Sequence, residues 1–261
     1  MASTTAAVRR TPSPIAPSSP AADSPIELTV FAAASLRDVA TDLKAAYDTH
    51  APGVTLVVAT DSSATLRTQI EQGAPADVFL SADTANPQAL VDAGLTTGPG
   101  SPFAGNVLTV IVPDANEAGI RSPSDLARPG VAIIAAGDKV PITKYASKVV
   151  TKLAALDGYP ADFAAAYTAN IVSREDNVKA VVAKVGLGEG DAAIVYVTDA
   201  TAAESTTRVD IPEAAYVTAT YAAVVIKASA HATSAQDFLD WLVGDDGQGI
   251  LARHGFLPPA Q

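Results

Sequence analysis

An α/β fold with a mainly parallel sheet is predicted by three observations. From Ile26 onward, short apolar runs alternate with amphipathic segments of helical period. Two strand-to-helix junctions, VFAAASL at 30–36 and DSSATL at 61–66, each put a serine where a helix begins. In addition, 48% of the 261 residues are hydrophobic, which is enough for a core in each of two lobes.

The first strand starts at Ile26. After Ser35, the residues Leu36, Val39, Ala40, Leu43 and Tyr47 recur at helical spacing, so the first helix lays one face on the sheet. Residues 54–58 (VTLVV) form the next strand, and a second helix carries Leu66 and Ile70 and stops at Gly73. GAPADVFLSAD at 73–83 then reads as a helix stop, a turn, a short buried strand and an exit loop. A third helix spans 87–93, with Asn86 as its cap and Gly94 after it. Residues 107–112 (VLTVIV) form a strand ending at Pro113, and 220–226 (TYAAVVI) form a second run of similar length. Between them, 131–135 (VAIIA) is a buried strand, and Pro141 opens a helix carrying Ile142, Tyr145, Ala146, Val149, Val150 and Leu153 on one face. Another helix starts near Asp176, with Val178, Val181, Val182 and Val185 together. Residues 192–197 form a strand that puts Tyr196 near its carboxyl end, where open α/β sheets hold their ligands.

The two serine junctions carry the chemistry. The first four N–H groups of a helix have no partner within it, and with the helix dipole they suit an anion. Two such ends facing one another hold a small oxyanion without any charged side chain. A serine at a helix start also serves as an ordinary N-cap. Here Ala32, Ala33 and Ala34 before Ser35, and Ala64 after Ser63, leave the backbone bare to a ligand.

The formal net charge of −11 excludes a nucleic-acid binder, which needs a basic face, and means that an anion is caught by local donors. The absence of cysteine excludes disulfides, zinc–thiolate sites and thiol chemistry. Asp77 is assigned to the GAPAD turn and Asp83 to a helix cap, not to paired acid–base work. His50, His231 and His254 lie far apart with no HxxxH spacing, so neither a metal-cation site nor a cofactor is expected. The glycine run at 186–190 precedes a strand and lacks the Lys-Ser/Thr ending of a phosphate loop, so it is a connector. DDG at 245–247 reads as a turn linking two helices.

Residues 1–25 are rich in Ala, Ser, Thr and Pro and read as a disordered tether. They lack the apolar core of a signal peptide, and no run of ~18 apolar residues occurs anywhere to span a membrane.

The blocks FAAASL at 31–36, SSATL at 62–66, QIEQGAPADVFLSAD at 69–83, GNVLTVIVP at 105–113, VPITKYA at 140–146, AIVYVTDA at 193–200 and HGF at 254–256 follow one another in order from near residue 26 to the end. In them the chain resembles the molybdate-binding proteins (ModA), the solute receptors of ABC importers. The resemblance implies a type II periplasmic-binding-protein fold with lobes at 26–105 plus 225–261 and at 106–224, joined by a two-strand hinge, with the ligand in the cleft. It implies a monomeric receptor and no enzyme, capturing molybdate and tungstate and delivering them to an ABC permease and its ATPase. By motif, the oxyanion ligands are the Ser35 and Ser63 hydroxyls with the neighbouring N–H groups of Ala34 and Ala64, the N–H groups of Ile142 and Asn177, and the Tyr196 hydroxyl. The metal is reached only as its oxyanion. Ile142 and Asn177 depart from the small or aliphatic residues of the family, and Asn177 is expected to add a side-chain contact or to shift its loop. The resemblance also implies an extracytoplasmic location, with a lipid anchor on an N-terminal cysteine removed or replaced here, and otherwise a periplasmic one.

Neutral donors with no acceptor among them suit a tetrahedral dianion and disfavour a protonated oxyanion. Sulfate has the same charge and shape as molybdate, so cavity size must tell them apart, and a receptor for sulfate or another oxyanion is the alternative. An enzyme on the same scaffold needs a nucleophile with a base in reach, or a cofactor lysine, and neither accompanies these residues. A sensing domain of a regulator is opposed by the acidic charge and the lack of a DNA-binding segment.

Overall fold

The first strand, β1 (Ile26–Ala33), pairs in parallel with β2 (Val54–Asp61) on one side and β3 (Val78–Ser81) on the other. Its second half is buried almost residue after residue, as befits a parallel strand covered on both faces. The computed structural model describes residues 1–3 and 25–259, so most of the predicted tether at 1–25 lies outside the described residues.

A 3-10 turn at Ala34–Leu36 leads into α1 (Arg37–His50). Leu36, Val39, Leu43 and Tyr47 are buried as their spacing predicts, each contributing roughly 1.5–3 kcal/mol of transfer free energy. Tyr47 packs against Phe238 and Trp241 of α8 (Ala232–Val243), with ring centroids 5.0 and 5.1 Å away. His254, just past α9 (Asp245–Arg253), lies 2.8 Å from Asp42 of α1. The carboxyl-terminal helices are thereby fastened to the first lobe.

The next helix, α2 (Ser63–Glu71), stops where predicted: Gly73 takes φ +88°, and the Ala74 N–H donates to the Gln69 carbonyl at 2.9 Å. By contrast, α3 (Ala85–Asp92) begins earlier than predicted. Asn86 lies inside its first turn and does not cap it. Asp83 fills that role, accepting from the Asn86 N–H at 3.0 Å. Asp77 likewise bonds elsewhere than its own turn. It accepts from the Thr29 N–H of β1 at 2.7 Å and from the Ser229 hydroxyl, tying the strand to a distant loop.

Two strands run between the lobes. In β4 (Ser101–Pro113), the first half pairs antiparallel with β9 (Thr218–Val225), and the second half pairs with β7 (Ala193–Tyr196) and β8 (Thr206–Val209). The far end of β9 pairs with β3. One mixed sheet in the order β2-β1-β3-β9-β4-β7 therefore passes through the whole molecule, parallel at β2-β1-β3 and antiparallel along the hinge. β4 is longer than predicted because it serves both lobes.

In the second lobe, β5 (Ile133–Ala136) and β6 (Ile171–Glu175) are parallel. β5 starts later than predicted because both backbone groups of Ala132 bond to Asp191. Between these strands, α4 (Pro141–Ala154) buries all six predicted apolar residues and packs beside α5 (Phe163–Ala169). After β6 come α6 (Val178–Gly186), the glycine connector, β7 and α7 (Val197–Ala202). A Cβ at Gly190 of the connector would fall 2.4 Å from Ile134 Cγ1, so that glycine is required by packing. DDG is not the predicted linking turn but the first turn of α9, with Gly244 as the link; its two carboxylates sit at the positive end of the helix. Among the described residues no helix is long and apolar enough to cross a membrane.

Candidate functional site

The fold carries several chain starts to one place. Ser35 lies in the 3-10 turn after β1, Ser63 is the first residue of α2, Ile142 the second of α4, Asn177 the residue before α6, and Tyr196 the last of β7. All five, with Ala34, line a single small cavity between the lobes. Ala64 is not on its wall and faces a neighbouring groove beside Thr65 and Thr68.

Neither predicted serine is used as a cap. Ser62 caps α2 by accepting from the Thr65 N–H at 3.2 Å. Ser63 Oγ accepts from the Ala82 N–H of the loop after β3 at 3.0 Å, and Ser35 Oγ lies 2.8 Å from Tyr221 Oη of β9. Both serines are buried, and both residues belong to the cavity wall.

On the opposite wall, Pro141 at the first position of α4 has no N–H, so Ile142 carries the first free donor of that helix. The Asn177 side chain caps α6, its Oδ1 accepting from the Ala180 N–H at 3.1 Å. Its Nδ2 donates across the cleft to Asp61 Oδ1 at 3.2 Å. The departure from the family pattern is thus a cap and a bridge between lobes.

Tyr196 completes the wall. It is 1% exposed, and its hydroxyl has no hydrogen-bond partner among the described residues. Burial, with further pressure from Tyr221, Tyr145 and nearby carboxylates, pushes its pKa well above the ordinary phenol value, so it is a neutral donor. Its ring is held between those of Tyr145 and Tyr221, at centroid distances of 6.4 and 5.8 Å.

A second bridge lies beside the first. Lys179 of α6 reaches Asp38 of α1 across the cleft and Asp199 of α7 at 2.8 Å. Asp199 is fully buried, and the ion pair with Lys179 is the one contact that meets its carboxylate among the described residues. Burial pushes the Asp199 carboxyl up to about 6, against the pull of Lys179. Burial alone would lower the Lys179 pKa, but Asp199 and Asp38 outweigh it and the pKa is raised. Asp61, Lys179 and Tyr221 were not singled out by sequence reasoning. A lysine in the apolar run NVKAVV was the available signal for the second of them.

Among the described residues no group of three or more His, Cys, Asp or Glu side chains gathers to hold a metal cation. The wall instead offers hydroxyls and helix-start N–H groups, a donor set for an anion.

Fold and site together define a two-lobed solute-binding protein that takes a small oxyanion. Residues 28–257 match the model of the family described as bacterial extracellular solute-binding protein. The molybdate-binding protein ModA of Mycobacterium tuberculosis (strain H37Rv) is 36% identical over 233 residues, which are 89% of this chain and 85% of that protein. Among solved structures, the periplasmic molybdate-binding protein of Azotobacter vinelandii matches with a TM-score of 0.73 at 24% identity, covering 89% of this chain and 100% of that one. The sulfate-binding protein SubI of Mycobacterium tuberculosis H37Rv matches with a TM-score of 0.78 at 22% identity, covering 89% and 87%. Both likenesses show the type II periplasmic-binding-protein fold. The chain belongs to the ModA family of bacterial extracellular solute-binding proteins, extracytoplasmic receptors of ABC importers and not enzymes.

Proposed function

We propose that this protein captures molybdate, and tungstate with it, as the dianion between its lobes, and delivers it as a monomer to an ABC permease driven by its ATPase. Ser35, Ser63 and Tyr196 give O–H donors, and Ala34, Ile142 and Asn177 give backbone N–H donors. The lobes, 26–105 with 225–261 and 106–224, turn about β4 and β9. Residues 1–25 have the Ala-, Ser- and Pro-rich composition of a tether suited to a lipid anchor.

The observation that carries this reading is the Tyr196 hydroxyl, buried and unpartnered on a wall it shares with two serines. An unpaired buried hydroxyl costs roughly 1–3 kcal/mol, which a bound oxyanion recovers. Because the donors come from both lobes, the anion favours the shut arrangement and shifts the protein toward it. The name of the Mycobacterium tuberculosis relative supports molybdate as the anion.

The test is calorimetric titration of ligand-stripped protein with molybdate, tungstate, sulfate and phosphate in one buffer. One-to-one binding of the first two, with sulfate weaker by orders of magnitude, is the expected outcome. Binding of sulfate or phosphate without molybdate overturns the choice of anion.

A further inference from the structure

We infer that Tyr221 and Asn106 are positioning residues that fix the Ser35 hydroxyl as a hydrogen donor to the bound anion. The inference rests on the proposed function and names what tunes the same site.

The chain of bonds behind Ser35 has one direction. The Val107 N–H donates to Asn106 Oδ1 at 2.9 Å, which settles how the amide lies. Its nitrogen therefore faces Thr198 Oγ1 at 2.9 Å and Tyr221 Oη at 3.4 Å. An amide NH₂ only donates. Asn106 can only donate to Tyr221 Oη, and among the described residues Ser35 Oγ, 2.8 Å away, is the one other partner of that buried phenol, so pairing the Tyr221 proton requires that it go to Ser35 Oγ. With that bond received, the Ser35 proton is left for the cavity that Ser35 lines.

The phenol is held to this task. Asn106, Thr198 and Tyr221 are all buried, and burial raises the Tyr221 pKa far enough that the proton stays. The ring packs against Phe103, Phe256 and Tyr196 at centroid distances of 6.0, 5.6 and 5.8 Å, which fixes where its oxygen sits. Tyr221 itself is not on the cavity wall. Ser63 reaches the same polarity by another route, because the Ala82 N–H occupies its oxygen. Both serines are then donors, and an oxyanion carrying its own proton finds both serine oxygens already engaged. Tyr221 thus acts on selectivity from a hinge strand.

The test is a double-mutant cycle of Tyr221→Phe with Ser35→Ala, read by calorimetric titration with molybdate and with inorganic phosphate near neutral pH. Phenylalanine keeps the ring packing and removes one oxygen. Tyr221→Phe is expected to weaken molybdate by up to about tenfold, the upper range for losing a neutral hydrogen bond, and to strengthen phosphate by freeing Ser35 to accept. In the Ser35→Ala background the same change is expected to alter molybdate affinity by less than about twofold, because the two residues act as one unit. Equal losses in both backgrounds overturn the inference, and so does no loss in either. Asn106→Leu is a second variant that removes the donor to Tyr221; a smaller loss, present only with Ser35 in place, is expected. If the wild-type protein binds sulfate instead of molybdate, the anion assignment fails alone and the cycle is read with sulfate. If it binds none of the oxyanions, the proposed function fails and this inference with it.

Discussion

On the first-lobe wall of the cavity, Ser35 and Ser63 present side-chain hydroxyls whose oxygens are already engaged, by Tyr221 and by the Ala82 N–H. On the second-lobe wall, Ile142 and Asn177 stand at helix starts, where the useful group is the backbone, and only Tyr196 offers a side chain. The difference teaches which substitutions this site tolerates. A wall made of hydroxyls is changed by single residues, whereas a wall made of helix starts survives any residue other than proline that keeps the helix.

The largest expected effect follows from the first wall. Ser35→Ala and Ser63→Ala are each expected to weaken molybdate by roughly 1.5–3 kcal/mol, the scale for losing a hydrogen bond to a charged group. Calorimetric titration measures both. Unchanged affinity in the two variants would break the comparison at its base.

How much of this was legible in the sequence follows the same division. Ser35, Ser63 and Tyr196, which the structure brings to one cavity, are candidates in the sequence because a hydroxyl at a strand-to-helix junction or a strand end is visible in the letters themselves. Ile142 was placed by Pro141, which marks a helix start whatever follows it. Tyr221, Asn106 and Asp61 were missed because their parts depend on register. Tyr221 faces Ala104 and Tyr196 faces Leu108 on one strand, a pairing of chain segments that are over 80 residues apart in sequence (108 and 196) and that local pattern does not reveal. The misplaced cap at Asn86 has a similar origin. Asp83 and Asn86 both suit the role, and a third residue, Ser81, decides it by donating to Asp83 at 2.9 Å.

A second contrast between the lobes concerns buried carboxylates. Asp77 and Asp83 accept bonds from backbone and side-chain donors, while among the described residues Asp199 has only the ion pair with Lys179. Burial raises the Asp199 pKa from 3.8 to about 6, so its contribution to stability is fully present below about 3.8 and is lost as pH rises through about 6. Asparagine does not titrate. Relative to wild type, Asp199→Asn is therefore expected to gain on the order of 1–2 kcal/mol in stability between about pH 4 and pH 7. Denaturant unfolding at the two pH values measures the change. A difference that stays constant with pH would mean that Lys179 compensates the buried charge fully and that the two lobes treat carboxylates alike.

The smallest expected effect is the sharpest test of the backbone wall. Ile142→Val removes one methylene, keeps the N–H, and leaves Pro141 to start the helix. Stability should fall by about 0.5–1.5 kcal/mol, as for other trimmed core isoleucines, and molybdate affinity should stay within about twofold. The same residue also lines a second cavity between α4 and α5, together with Ala146, Val150 and Tyr167. Trimming it adds room and no donor. If the wall acts through its backbone alone, that added room costs little for the larger anion and gives nothing to sulfate. A loss of molybdate affinity above tenfold would show instead that the isoleucine shapes the cavity, and that size selection on this wall is made by a side chain after all.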